Sequence, residues 1–147
     1  MDEFAGGPAV FLDTNVLVYV IDHSDEEKCG IAKDILSRAF EGKFPAVVSN
    51  QVLSEAYTTL ARRNVPEKDA FGFVQALLDP AIGKFDYSTK TVIAAVKISQ
   101  QAKVHFWDAL IAATMLENGV FEIITENCKD FAKIPGIRAR SPFAARK

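Results

Sequence analysis

A four-residue apolar run, Ala9-Val10-Phe11-Leu12, gives way at once to the polar triplet Asp13-Thr14-Asn15 and then to Val16-Leu17-Val18-Tyr19. A short run that is apolar at every residue reads as a strand buried on both faces, and such strands belong to parallel sheets covered by helices. This constrains the rest of the chain. Parallel neighbours cannot be joined by tight hairpins, so each further strand must be reached through a crossover, usually a helix. In open sheets of this kind ligands bind outside the carboxyl ends of the strands, where Asp13 stands. An Asp there also caps the helix that follows, and Asp13 alone leaves both roles open.

The remaining pattern supplies the crossovers. Residues 14–21 read as a short apolar helix. Ser24 or Asp25 opens an amphipathic helix to about Phe40, with Ile31, Ile35, Leu36 and Ala39 at helical spacing. A second strand is expected over residues 46–48 and a helix over 50–63. Pro66 starts another helix at a favoured early position, with Phe71, Val74, Leu77 and Leu78 as its apolar side. After Pro80 and Gly83, residues 84–87 read as a short extended piece. Ser88 or Thr89 opens a helix to about Lys103, with Val92, Ala95, Val96 and Ser99 spaced for burial. A further helix carries Asp108 and stops at Asn118-Gly119, a C-terminal signal. Strands over 120–124 and 137–139 close the pattern. The alternation predicts an α/β fold, a three-layer α/β/α sandwich with a central, mainly parallel sheet. Residues 1–8, which lack the basic region of a signal peptide, read as a flexible lead-in, and residues 9–147 as a single domain.

Composition narrows the function classes. No apolar stretch approaches the roughly 20 residues that span a bilayer, so no membrane role is expected. Cys29 and Cys128 are isolated, as are His23 and His105. They match no zinc or redox spacing and fit reduced thiols in a cytoplasmic protein. A net charge of −2 argues against holding nucleic acid on a broad basic surface. RNA as a substrate stays open, because bound divalent metal reverses the local charge of an acidic site. Arg62 and Arg63 end one helix, and Arg138, Arg140, Arg146 and Lys147 lie near the end of the chain.

Two further acids single themselves out. Glu55 falls early in the helix that follows the second strand. Asp108 lies in the first turns of Phe106-Trp107-Asp108-Ala109-Leu110-Ile111-Ala112-Ala113-Thr114-Met115-Leu116, a helix apolar almost all round and therefore expected to be buried. Helical spacing puts Ile111, Ala112 and Met115 on its Asp108 face. An ionised carboxylate there costs several kcal/mol unless satisfied, whereas placement near a helix N-terminus returns only about 0.3–1 kcal/mol. A metal partner accounts for it better. Clustered carboxylates suit Mg²⁺ or Mn²⁺ rather than zinc, with Asp13 and Asp108 as the expected ligands.

The segments FLDTNVLVYV, SNQVLSEAY, FWDALIAATMLENG and IITENCKDF resemble the signature segments of the PIN domain family. Their order and the chain length resemble its single-domain branch, the VapC-type toxins of toxin–antitoxin pairs. The resemblance spans roughly residues 9–142. It implies a metal-dependent ribonuclease whose acids are Asp13, Glu55, Asp108 and Asp130, with Glu55 and Asp130 completing the pocket or helping to hold a second ion, Asn15 and Thr125 ordering the site by hydrogen bonds, and Asn127 as a further supporting residue. It also implies cleavage to a 5′-phosphate and a 3′-hydroxyl, a cognate antitoxin as partner, and a homodimer. Related sequences carry the fourth acid near the Asn127 or the Asp130 position. Asp130 is favoured because Phe131 can anchor its turn, and Glu126 is the alternative, expected to face solvent by strand alternation. Two other readings stand beside this one: a PIN-like binding or regulatory domain with little activity, and an aspartyl phosphotransferase, for which Asn15 stands where a second acid is needed.

Overall fold

The first apolar run forms β1 (Val10–Leu12), buried at every residue, and takes the centre of a five-stranded sheet ordered β3-β2-β1-β4-β5. The structure, a computed structural model, describes residues 7–143, so most of the expected lead-in lies outside the described residues. The chain runs from β1 through α1 (Thr14–Leu17), a 3₁₀ turn (Val18–Val20) and α2 (Glu26–Phe40) to β2 (Ala46–Ser49). It continues through α3 (Asn50–Arg62), α4 (Glu67–Ala76), β3 (Ile82–Phe85), α5 (Thr89–Ala102) and α6 (Phe106–Glu117). It then adds β4 (Glu122–Ile124), α7 (Cys128–Phe131) and β5 (Arg138–Arg140). All four strand pairs are parallel, with Phe11 opposite Val47 on one side and Ile123 on the other. The α/β/α sandwich expected from the alternation is the fold observed.

Local chemistry sets the helix starts. Asp25 caps α2 by accepting from the Lys28 amide at 3.1 Å, and Glu26 and Glu27 complement the helix dipole in its first turn. Ser49 caps α3 by accepting from Val52 N. At α5, Thr91 Oγ1 accepts from Ser88 N at 2.9 Å and donates to Glu117 Oε2 at 2.7 Å, tying α5 to α6. Gly119 takes φ +69° just past α6, a backbone region that costs glycine little and other residues more.

Four local expectations are corrected. The apolar stretch after Asp13 divides into α1 and a 3₁₀ turn; its β-branched residues Val16, Val18 and Val20 are weak helix formers, and helices commonly tighten at this end. β3 begins at Ile82 rather than Lys84, because Gly83 is part of the ladder and not a break. It pairs with Val47, and a Cβ on Gly83 would sit 2.8 Å from Val47 Cγ1. On α4 the buried stripe is Ala70, Phe73 and the following Leu77, leaving Phe71 and Leu78 exposed. On α5 Val96 is likewise exposed while Ala95 is buried.

The core is the sheet and the helices against it. Phe11, Leu12, Val48 and Ile124 are almost fully inaccessible, and α6 is buried without interruption from Ala109 to Met115. Each such large side chain contributes about 1.5–3 kcal/mol by burial. No helix among the described residues is long and apolar enough to cross a membrane. The topology also selects a location. The chain builds β1, β2 and β3 in one direction, then returns to place β4 on the other side of β1. The carboxyl ends of β1 and β4 therefore flank a topological switch point, where open α/β sheets form their crevice.

Candidate active site

Asp13 follows the last residue of β1 and Thr125 the last residue of β4. Asp13 is only 5% exposed, and both its oxygens are held. One accepts from the Thr14 amide at 2.7 Å and the other from the Thr125 hydroxyl at 2.7 Å. The Thr125 oxygen accepts in turn from the Asn127 amide at 2.9 Å and from Asn15 Nδ2 at 3.3 Å. Asn15 Oδ1 accepts from the Glu126 amide at 3.1 Å, and Asn127 Nδ2 donates to Asp108 Oδ2 at 3.4 Å. A continuous polar chain thus runs from Asp13 through Thr125 and Asn127 to Asp108. It locks the turn after β4 onto the turn after β1.

Glu55 arrives from α3. Gln51, one turn earlier, is buried and donates to both Glu55 Oε1 and the Trp107 carbonyl, each at 2.9 Å. Asp13, Glu55 and Asp108 line one cavity of about 190 Å³, together with Thr14, Asn15, Thr59, Arg63, Ile111 and Asn127. Ile111 lies one turn from Asp108, as the α6 spacing required. Asp130 does not line this cavity. Phe131 is fully buried and anchors α7 as expected, but the Asp130 carboxylate lies 3.6 Å from Lys133. Asn127 occupies the space facing Asp108. Glu126 faces outward and pairs with Lys28 at 2.7 Å. The Lys28 ammonium lies 5.1 Å from the Tyr19 ring and 5.0 Å from that of Phe143. His105 is exposed at the start of α6.

The three lining acids share one electrostatic condition. Burial pushes the Asp13 carboxyl up to about 7, against the bond from Thr125 and with added repulsion from Asp108 and Glu55. Burial also raises Glu55 and Asp108. Gln51 opposes the rise at Glu55 and Asp108 adds to it, while Asp130 raises Asp108 against His105 and Asn127. Such a cluster favours protonation or a bound cation. Among the described residues no group of three His, Cys, Asp or Glu side chains forms an all-protein metal cage. The oxygen donors nevertheless fit Mg²⁺ or Mn²⁺, which commonly take one or two carboxylates and keep several waters. Thr14 belongs to the cavity wall, and its buried Oγ1 has no hydrogen-bond partner among the described residues.

Thr14, Gln51, Thr59, Arg63 and Ile111 join the acids here beyond the residues that the sequence pattern singles out. The signal for three of them was present: Gln51, Glu55, Thr59 and Arg63 recur every four residues, the spacing of one helix face.

Solved structures share this fold at low identity. VapC20 of Mycobacterium tuberculosis, a toxin that cleaves the sarcin–ricin loop, superposes with a TM-score of 0.70 at 21% identity, covering 88% of this chain and 98% of that one. A DNA-bound VapBC of Salmonella typhimurium gives 0.68 at 20% identity, covering 92% and 99%. A toxin–antitoxin complex from Klebsiella pneumoniae gives 0.66 at 23%, also covering 92% and 99%. No curated protein is a significant match to the sequence. The sequence profile of the PIN domain matches residues 10–137, from the first strand to the residue before the last. With that span and the acid-lined switch point, the chain belongs to the PIN domain family.

Proposed function

We propose that the protein is a divalent-metal-dependent ribonuclease and the toxin of a toxin–antitoxin pair. The observation that carries this reading is the convergence of Asp13, Glu55 and Asp108, from three separate segments, on one cavity at the sheet's switch point. Asp13 and Asp108 are the residues to hold the ion, with Glu55 completing the pocket and Asp130 adding negative charge behind Asp108. A divalent cation bound there supplies charge neutralisation for the phosphate and an acidified water.

The protein's own groups do the rest. Thr125, Asn15 and Asn127 hold the two acids in position, so no reorganisation is needed when substrate arrives. Arg63, on the cavity wall, provides a cation for a phosphate oxygen, and its pairing with Asp22 fixes its place. Water attacks phosphorus in line with the departing 3′ oxygen, leaving a 5′-phosphate on one fragment and a 3′-hydroxyl on the other. Family likeness and the VapBC complexes among the structural neighbours support a cognate antitoxin. A homodimer is consistent with the exposed apolar residues Phe71, Leu78, Ile93 and Val96. A cytoplasmic location fits two free cysteines.

The test is cleavage of a mixed RNA pool with Mg²⁺ or Mn²⁺. Activity that stops with EDTA and is lost in both Asp13→Asn and Asp108→Asn, with circular dichroism unchanged, supports the mechanism. Cleavage that persists in EDTA or in both variants overturns it. A folded protein that binds RNA without cutting it under any metal would favour a regulatory domain.

A further inference from the structure

α3 is a ridge between two cavities. Its Glu55-Thr59-Arg63 stripe lines the acidic site, while the adjacent Ser54-Thr58-Arg62 stripe lines a larger cavity of about 580 Å³. Glu55 and Gln51 also belong to that second wall, so it opens directly beside the acids. Its far side is aromatic. Trp107 is 59% exposed and Tyr87 is 40% exposed, unusual for side chains whose faces gain most from being covered. Both are positioned rather than loose. Gln51 grips the Trp107 carbonyl, and Phe106 meets the indole edge-on at 5.2 Å. Asn50 donates to Asp86 at 2.7 Å, holding the residue before Tyr87 against the start of α3.

The geometry points to a nucleotide subsite. An unpaired base of the RNA, next to the scissile phosphate, stacks on Trp107 with Tyr87 alongside, and Arg62 takes the adjoining phosphate. The inference rests on the ribonuclease reading for the identity of the ligand. Three observations favour this occupant. The cavity is continuous with the acids through Glu55. It pairs aromatic faces with a cation, the combination that binds single strands without reading a fixed sequence. Its hydroxyls, Ser54 and Thr58, donate to α3 carbonyls and keep acceptor lone pairs that suit a ribose hydroxyl. A duplex, whose bases are already stacked, has no free face to offer.

Trp107 is the only tryptophan of the chain, so its fluorescence reports on this wall alone. The full-length Asp13→Asn protein, with Mg²⁺ present, is titrated with oligouridylate, then with a blunt RNA duplex, with anisotropy of labelled RNA recording binding separately. Quenching of Trp107 by oligouridylate and not by the duplex is expected. In the cleaving protein, Trp107→Ala should raise KM about tenfold with a smaller change in kcat, and Trp107→Phe should restore most of the loss. RNA binding without a change in Trp107 emission, or an unaltered KM in Trp107→Ala, overturns the subsite. So does emission that responds to protein concentration alone, which would assign the face to self-association. The two readings fail separately. Quenching by RNA in a protein that never cuts removes the ribonuclease and keeps the subsite. Cleavage with a silent Trp107 does the reverse.

Discussion

β1 and β4 lie side by side, and each runs into a four-residue helix, α1 after one and α7 after the other. The two turns nevertheless treat their acids in opposite ways. In the first, Asp13 is the N-cap, buried and held through both oxygens. In the second the N-cap position belongs to Asn127, whose side chain reaches across to Asp108 instead, and Asp130 sits in the helix beside Lys133. The same strand-to-helix device thus produces a desolvated, over-determined carboxylate in one turn and a partly hydrated, salt-bridged one in the other. What separates them is neighbouring residues. Thr125 reaches Asp13 from the end of the adjacent strand, whereas the contact of Asp130 is to Lys133, three residues along its own segment.

If that contrast is functional, the largest effect belongs to Asp13. Asp13→Asn should reduce RNA cleavage by at least about 10²–10³-fold, on the scale of removing a preorganised electrostatic group, measured by single-turnover kinetics. An Asp130→Asn variant that loses cleavage to the same degree would erase the contrast.

Asp13 should also govern a pH dependence of stability. Asp13 titrates near 7 when folded, against an ordinary value of 3.8. Between about pH 4 and 7 the folded protein therefore keeps a proton that the unfolded chain releases, and metal-free stability falls as pH rises through this window. The full loss is about 4 kcal/mol. Urea unfolding in EDTA at about pH 5 and about pH 8 captures the larger part of it, about 3 kcal/mol. Asp13→Asn should flatten the slope, and saturating Mg²⁺ should offset it, because the ion binds the folded carboxylate. A slope unchanged in Asp13→Asn would locate the titrating group elsewhere.

Thr125→Val sharpens the comparison by removing the restraint and leaving the acid. Loss of one such orienting group typically costs about 10–100-fold in metal affinity or activity. Calorimetric Mg²⁺ titration and cleavage rates should both register it, with the fold retained. The smallest effects belong to the second turn. Asp130→Ala should weaken metal binding only a few-fold, through the lost charge behind Asp108. Glu126→Ala should cost no more than about 1 kcal/mol of stability, the scale of a partly exposed ion pair, and leave cleavage unchanged. The reverse ranking would bring Glu126 into the site and break the account of α7.

The first of these turns was legible in the sequence and the second only in part, for a physical reason. An apolar strand of three or four residues fixes where its carboxyl end lies, so Asp13 could be placed from local pattern alone. The same holds for Asp108, whose uninterrupted apolar helix made a charged residue conspicuous. Asp130 depended on how a short turn rotates, and a rotation of one residue moves a side chain by about 100° in a helix. Here that rotation puts Asn127, not Asp130, on the cavity wall. Gly83 shows a related blind spot. A glycine reads locally as a break, and only the neighbouring strand's Val47 reveals that its missing side chain is what lets β3 pair. The exposed Phe71 and Val96 were misplaced because apolar identity marks burial only when the helical phase agrees.

Helical phase has a consequence for which changes in length this protein can tolerate. α3 presents two cavity-lining stripes offset by one residue, and its phase is set where Ser49 caps it directly off β2. Inserting or deleting one residue between Ser49 and Arg63 would turn every later side chain by about 100°, so that Arg62 and Arg63 could not both keep their stations. The same change after Arg63, in the exposed loop around Asn64, alters no phase and lands where chains commonly absorb it. Among natural relatives or in deletion libraries, α3 should behave as a segment of fixed length joined to a connection of variable length.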